Sequence, residues 1–149
     1  MKTIKNVAAS CLVAGSLLSA TSVQAEGHAS QVDKALIILT SPSLQTQGMA
    51  MVLGNAMQAK GVAVDVLLCD TAGDLALTST TSQALKPQNV TPEQLMLKLQ
   101  NSGANVSVCA LYLPNSTHSK QDLREGISVA TPPQMASMMS SDSTRVYSF

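Results

Sequence analysis

The sequence predicts a three-layer α/β/α domain built on an open, mostly parallel sheet of five strands. Continuous apolar runs of strand length, such as Lys34-Ala-Leu-Ile-Ile-Leu-Thr40 and Val62-Ala-Val-Asp-Val-Leu-Leu-Cys69, read as strands buried on both faces. Stretches with helical spacing separate these runs. The segments Thr91-Pro92-Glu93-Gln94 and Thr131-Pro132-Pro133-Gln134 each mark a helix start, with Thr as N-cap, Pro in the first turn and Gln three residues on. Strands alternating with helices imply parallel β-α-β crossovers.

Residues 1–25 have the layout of a cleavable secretory signal: cationic Lys2 and Lys5, an apolar run from Val7 to Ala20, and the small-x-small site Val23-Gln24-Ala25. The run of about 14 residues is shorter than the roughly 20 that a spanning helix needs. The expectation is an exported, periplasmic protein with no membrane attachment after cleavage. Residues 26–33 then form a flexible lead, and residues 34–149 form one domain. Cys11 leaves with the signal, too close to Lys5 to be a lipidated cysteine.

Along that domain, Lys34 to Thr40 is the first strand, and Ser41-Pro42-Ser43 breaks it. Met49, Val52, Leu53, Ala56 and Met57 recur at helical spacing up to Lys60-Gly61, and Val62 to Cys69 is the second strand. Between Asp70 and Val90 the sequence reads as a functional loop or a short helix around Leu75 and Leu77. The helix from Thr91 buries Leu95, Met96 and Leu99 and ends at Gly103. Asn105 to Leu113 is the third strand, turning at Pro114-Asn115. A short helix over Ser119 to Glu125, a weak strand over Ile127 to Ala130, a helix with Met135, Met138 and Met139 on its apolar face, and a strand from Thr144 to Phe149 complete the order.

The formal net charge is zero, and no Lys/Arg cluster offers a nucleic-acid surface. Tyr112, Tyr147 and Phe149 are the only aromatic residues, so stacking platforms for bases or sugars are not expected. The chain has no phosphate loop, dinucleotide glycine fingerprint, zinc spacing or nucleophile elbow, and no cofactor is expected.

Ligands of open parallel sheets bind at the carboxyl ends of the strands. Cys69 closes the second strand beside Asp70; Cys109 lies toward the end of the third, ahead of Tyr112 and Asn115. Three readings stay open. The two cysteines form a structural disulfide, as their compartment favours, although neighbouring parallel strands rarely meet disulfide geometry without distortion. Alternatively both are inert core thiols. In the third reading Cys109 is a reactive thiol, facing the N-terminus of a following helix that lowers its pKa, with His118 and Lys120 supporting the charge. Such a thiol suits sulfur transfer.

The segments Lys34-Ala-Leu-Ile-Ile-Leu-Thr, Gly61-Val-Ala-Val-Asp-Val-Leu-Leu, Gly103-Ala-Asn-Val-Ser-Val-Cys109-Ala and Ser141-Asp-Ser-Thr-Arg-Val-Tyr-Ser-Phe149 resemble the DsrE/DsrF-like family. The resemblance runs from Lys34 to the C-terminus. It implies a small α/β/α domain assembled as a homo-oligomer, a trimer or hexamer. Some members of the family are sulfur carriers, with the working cysteine in the Val-Cys segment that Cys109 matches here, so the resemblance offers a carrier role with a sulfur-donor or acceptor protein as partner. From their positions at the strand ends, Cys69 is a candidate partner thiol, and Asp70, Tyr112, Asn115 and His118 are the candidate supporting residues. Here Cys109 runs into Leu-Tyr-Leu-Pro-Asn rather than a Gly- or Arg-containing loop.

Two metal readings accompany these. Cleavage after Ala25 would leave Glu26-Gly27-His28, whose amine, backbone nitrogens and His28 imidazole suit square-planar Cu(II) or Ni(II). The face of Met135, Met138 and Met139 offers soft thioethers to Cu(I), or simply packs in the core. A non-catalytic binding or assembly module, in which both cysteines only pack, is the alternative function.

Overall fold

The computed structural model describes residues 32–149; residues 1–25, expected to be a signal, and with them Cys11, as well as His28, lie outside the described residues. Five strands, β1 (Lys34–Leu39), β2 (Ala63–Leu68), β3 (Asn105–Val108), β4 (Ser128–Val129) and β5 (Thr144–Ser148), pair in the order β4-β3-β2-β1-β5. Every pairing is parallel. Helices α1 (Leu44–Gln58), α2 (Pro92–Asn101) and α3 (Pro132–Met139) lie between them. The open, parallel α/β architecture expected from the sequence is the one observed.

Chain direction explains the layering. From β1 to β4 the sheet grows one way, so right-handed crossovers place α1 and α2 on one face. Returning from β4 to the far side of β1 reverses the direction, and α3 falls on the other face. The main core follows: Ala35, Ile37, Leu39, Val64, Val66, Leu68, Val106 and Val108 meet Ala50 and Met51 of α1 and Leu95, Met96 and Leu99 of α2. The second face is thin. Leu36, Leu67 and Ala130 are buried there, with Met135 and Met138 packed against them, and no residue of α3 is itself buried.

Helix α2 begins as its sequence dictates. Thr91 accepts from the Gln94 backbone N–H, the Gln94 side chain accepts from the Thr91 N–H, and Pro92 occupies the first turn. The similar Thr131 makes no such cap, a departure from the expected repeat. Helix α1 also departs from the simplest reading. Met49, Val52 and Leu53, the large residues of its apolar repeat, are 53%, 45% and 41% exposed. Its packed face is Gln47, Gly48, Ala50, Met51 and Gly54. Close approach is the cause: a Cβ on Gly54 would stand 2.8 Å from Leu99 Cδ2, and one on Gly48 would overlap Leu85.

The stretch after β2 contains a short helix, as one of the two expectations had it, but of 3-10 form and over Asp70–Ala76, ahead of Leu77. The residues following are held by a distant segment. Arg124 donates from Nε to the Leu75 carbonyl at 3.1 Å and from Nη2 to the Thr80 carbonyl at 2.7 Å, and its N–H reaches the Ala76 carbonyl. Hydrogen bonds from a charged donor to half-buried carbonyls are worth more than neutral ones. Arg124→Ala is therefore expected to cost about 2 kcal/mol of stability, and to raise amide exchange in residues 75–80 before the sheet. Exchange rates equal to wild type in that segment would count against this account.

Candidate functional site

The site is set by register. Leu68 pairs with Val108 across β2 and β3, so the next residues, Cys69 and Cys109, stand side by side at the carboxyl edge. Hydrogen bonding continues one residue beyond the strands: Cys69 N–H donates to the Leu39 carbonyl at 2.9 Å and Cys109 N–H to the Leu68 carbonyl at 2.8 Å. Both side chains fall on the α3 face, packed against the cluster of Leu36, Leu67 and Ala130 that Met135 and Met138 also join. Both cysteines are free and half-buried, neither bridged nor sealed in the core.

Immediately after each cysteine the chain leaves the sheet. Asp70 adopts φ 52°, a left-handed conformation that Asp tolerates better than most residues. After Cys109 comes a turn closed by the Tyr112 N–H on the Cys109 carbonyl at 2.9 Å, and then one 3-10 turn, Leu113–Asn115. This corrects two expectations. The third strand ends at Val108 rather than Leu113, because the turn lifts the backbone off the sheet. The segment directly after Cys109 forms a 3-10 turn rather than an α-helix, and the next α-helix, α3, begins only at Pro132, after β4.

The two bends border an open cavity of about 510 Å³ lined by Cys69, Asp70, Asp74, Cys109, Tyr112 and Asn115, among others. A smaller cavity of about 240 Å³ extends along the same edge, sharing Thr71 and Asp74 and reaching Gln47 and Ser82. Of the residues singled out in the sequence, Cys69, Asp70, Cys109, Tyr112 and Asn115 are thus brought together. His118 is not among the lining residues. Its N–H donates to Ser116 Oγ, and the carboxyl of Asp122 is held below its ordinary range first by the Ser119 N–H and hydroxyl and only last by the charge of His118. The helix expected over Ser119 to Glu125 is a single 3-10 turn, Lys120–Asp122, closed by Asp122 Oδ2 accepting from the Ser119 N–H and hydroxyl.

Asp74 and Gly73 enter the site without having been singled out. The Tyr112 hydroxyl donates to Asp74 Oδ1 at 2.6 Å. Burial first, and then this bond to a carboxylate, raises the phenol above its ordinary range. The Tyr112 ring packs closely on Gly73, where a Cβ would stand 2.4 Å from ring carbons. Nothing in the local sequence links positions 73 and 112; only the fold brings them together.

The ychN protein of E. coli has this fold. Its crystal structure superposes with a TM-score of 0.58 over 78% of this chain and 98% of its own, at 16% sequence identity. The shared architecture is the DsrE-like α/β arrangement that the sequence motifs imply. At that identity the likeness is one of fold. No family model and no curated protein sequence matches the chain.

The thiol pair has distinct members. Burial, then hydrogen bonding to the Cys109 sulfur, then the charges of Cys109 and Asp70 push the Cys69 thiol up from 9.0 to about 12. Cys69 is thereby held as a protonated donor beside Cys109 through the range in which cysteine ordinarily ionises. The sign gives a direct expectation. Thiolates, not thiols, alkylate, so iodoacetamide at about pH 8 to 9 should leave Cys69 unmodified in the folded protein, while denaturation exposes it fully. Peptide mapping reads the outcome; equal labelling of Cys69 before and after unfolding would contradict it.

Proposed function

We propose that this chain is an exported, DsrE-like carrier of sulfane sulfur that holds it as a persulfide on Cys109. One observation carries the reading: two free, half-buried thiols meet at the mouth of a cavity on the carboxyl edge of a parallel sheet, where such sheets bind ligands. Cys69, kept protonated, is the neighbour able to donate a hydrogen bond to sulfur on Cys109. The exchange needs no external oxidant. The Cys109 thiolate attacks the outer sulfur of a persulfide, the donor S–S bond breaks, and the donor leaves as a thiolate. Export rests on the signal-like residues 1–25.

The decisive experiment is mass spectrometry of the reduced protein after exposure to a sulfane donor. Gain of one sulfur atom, mapped to Cys109 and removed by a thiol reductant, is the expected result. An unmodified Cys109 would refute the carrier role and leave the binding or assembly module as the better reading.

Self-association belongs to the same proposal. Met49, Val52 and Leu53 form an exposed apolar stripe along α1, continuous with a groove that also contains Leu85, Pro87 and Leu95, and contiguous exposed apolar surface marks interaction sites. Val52→Glu is expected to shift a homo-oligomer to monomers in light scattering while the circular dichroism stays native. An unchanged mass would place any interface elsewhere.

A further inference from the structure

The charge of the cavity wall bears on which sulfur donor enters it. Two carboxylates, Asp70 and Asp74, line the cavity beside the thiols, and no Lys, Arg or His is among the lining residues. The remaining lining is neutral: Thr71, Leu111, Tyr112, Asn115 and Ser116. Arg124 hydrogen-bonds the Leu75 and Thr80 carbonyls. Asp70 has no ion-pair partner among the described residues. Asp74 accepts from Tyr112 through Oδ1, so its other oxygen carries no protein hydrogen bond among the described residues and stays available to a ligand.

We propose that the donor for Cys109 is a small persulfide bearing a protonated amine, an amino-thiol persulfide, and that this cavity selects against anionic donors such as thiosulfate. The inference rests on the carrier reading above. In the reaction, the Cys109 thiolate bonds to the outer sulfur of the donor, R–S–SH, and the donor's S–S bond breaks. Cys109–S–SH and R–S⁻ result, with no change in total oxidation level. The ammonium of R would lie between Asp70 and the free oxygen of Asp74, steering the outer sulfur toward the thiol pair. An anion entering the same space meets two like charges at contact range, where unit charges interact at roughly 1 kcal/mol each even in water. Two unit charges acting at contact range make the expected discrimination about tenfold or more.

The test measures second-order rates of Cys109 loading by mass spectrometry, using reduced full-length mature protein. The donors are cysteamine persulfide as the cation, and thiosulfate and glutathione persulfide as anions. Each rate is divided by that donor's rate with a free small-molecule thiol, which removes intrinsic reactivity. At low ionic strength the cationic donor should be favoured at least about tenfold, with the ratio falling toward one near 1 M salt, where the screening length is only about 3 Å. Asp70→Asn with Asp74→Asn should collapse the preference. Asn tolerates the left-handed backbone of position 70 and preserves an acceptor for Tyr112, so the fold is retained. Equal normalised rates, a preference for anions, or a preference that survives in the double variant would overturn the charge assignment while leaving the carrier reading intact. Absence of sulfur on Cys109 with every donor would overturn both.

Discussion

Cys109→Ser is expected to reduce sulfane loading from about one sulfur per chain to none, with the fold unchanged. Position and chemistry both support the size of this effect. Serine is nearly isosteric with cysteine, Cys109 is only half-buried, and its backbone N–H bond to Leu68 does not involve the side chain. Stability should therefore move by less than about 1 kcal/mol, as for other partly exposed positions. Reactivity has no such tolerance: an alkoxide is not available near neutral pH, and a hydroxyl neither attacks a persulfide nor stores sulfur. Cys69→Ser separates the two thiols. It should still load at Cys109, since the nucleophile is present, but the product loses a neighbouring thiol that burial holds protonated up to about pH 12. The carried sulfur should then be lost faster to a competing reductant. If Cys69→Ser abolishes loading and Cys109→Ser does not, the roles assigned to the pair are reversed.

What the sequence revealed of this site, and what it hid, follows from the range of the interactions involved. Strand runs and helix caps are local signals, and they were readable. Lys34–Leu39 and Ala63–Leu68 appear as continuous apolar stretches, and the Thr91 cap is built from residues within one turn. Placing Cys69 and Cys109 at the same edge needed only the two strand ends. Their contact needed the parallel register of β2 with β3, which a single sequence does not encode. The orientation of α1 was hidden for a related reason. Periodicity marks large apolar residues, whereas α1 faces its neighbours with Gly48, Ala50 and Gly54 because Leu85, Leu99 and Ile37 press into those gaps. The stretch between residues 70 and 90 was unreadable because its order comes from Arg124 and the Asp122 carbonyl, more than forty positions away. The same holds for Tyr112 resting on Gly73.

The interlock between α1 and α2 yields the largest expected effect on stability. Leu99 is fully buried, and its methyl groups occupy the space that a side chain at position 54 would need: Cδ2 is 2.8 Å and Cδ1 3.8 Å from an ideal Cβ there. Leu99→Ala should cost about 3 to 4 kcal/mol, within the range for fully buried Leu→Ala changes. For a domain of this size that corresponds to a fall in Tm of roughly 10 °C or more. Gly54→Ala alone brings two opposed effects. Alanine favours the helix interior by about 1 kcal/mol over glycine, but its methyl meets Leu99 at 2.8 Å and Ile37 Cδ1 at 3.1 Å, and overpacking of that kind costs about 1 to 3 kcal/mol. With Leu99 shortened the clash on that side disappears and the new methyl fills part of the cavity. The double variant should thus be more stable than the sum of the single changes by about 1 to 2 kcal/mol, a coupling typical of residues in direct contact. Urea unfolding of the four proteins measures it, and strict additivity would mean that Leu99 does not fill the notch at Gly54. Helix α2 leads through Gly103 directly into β3, so loosening this contact should also weaken the strand that ends at Cys109. Sulfane loading in Leu99→Ala should then fall in parallel with the folded fraction as urea is raised, whereas Cys109→Ser removes loading at every urea concentration.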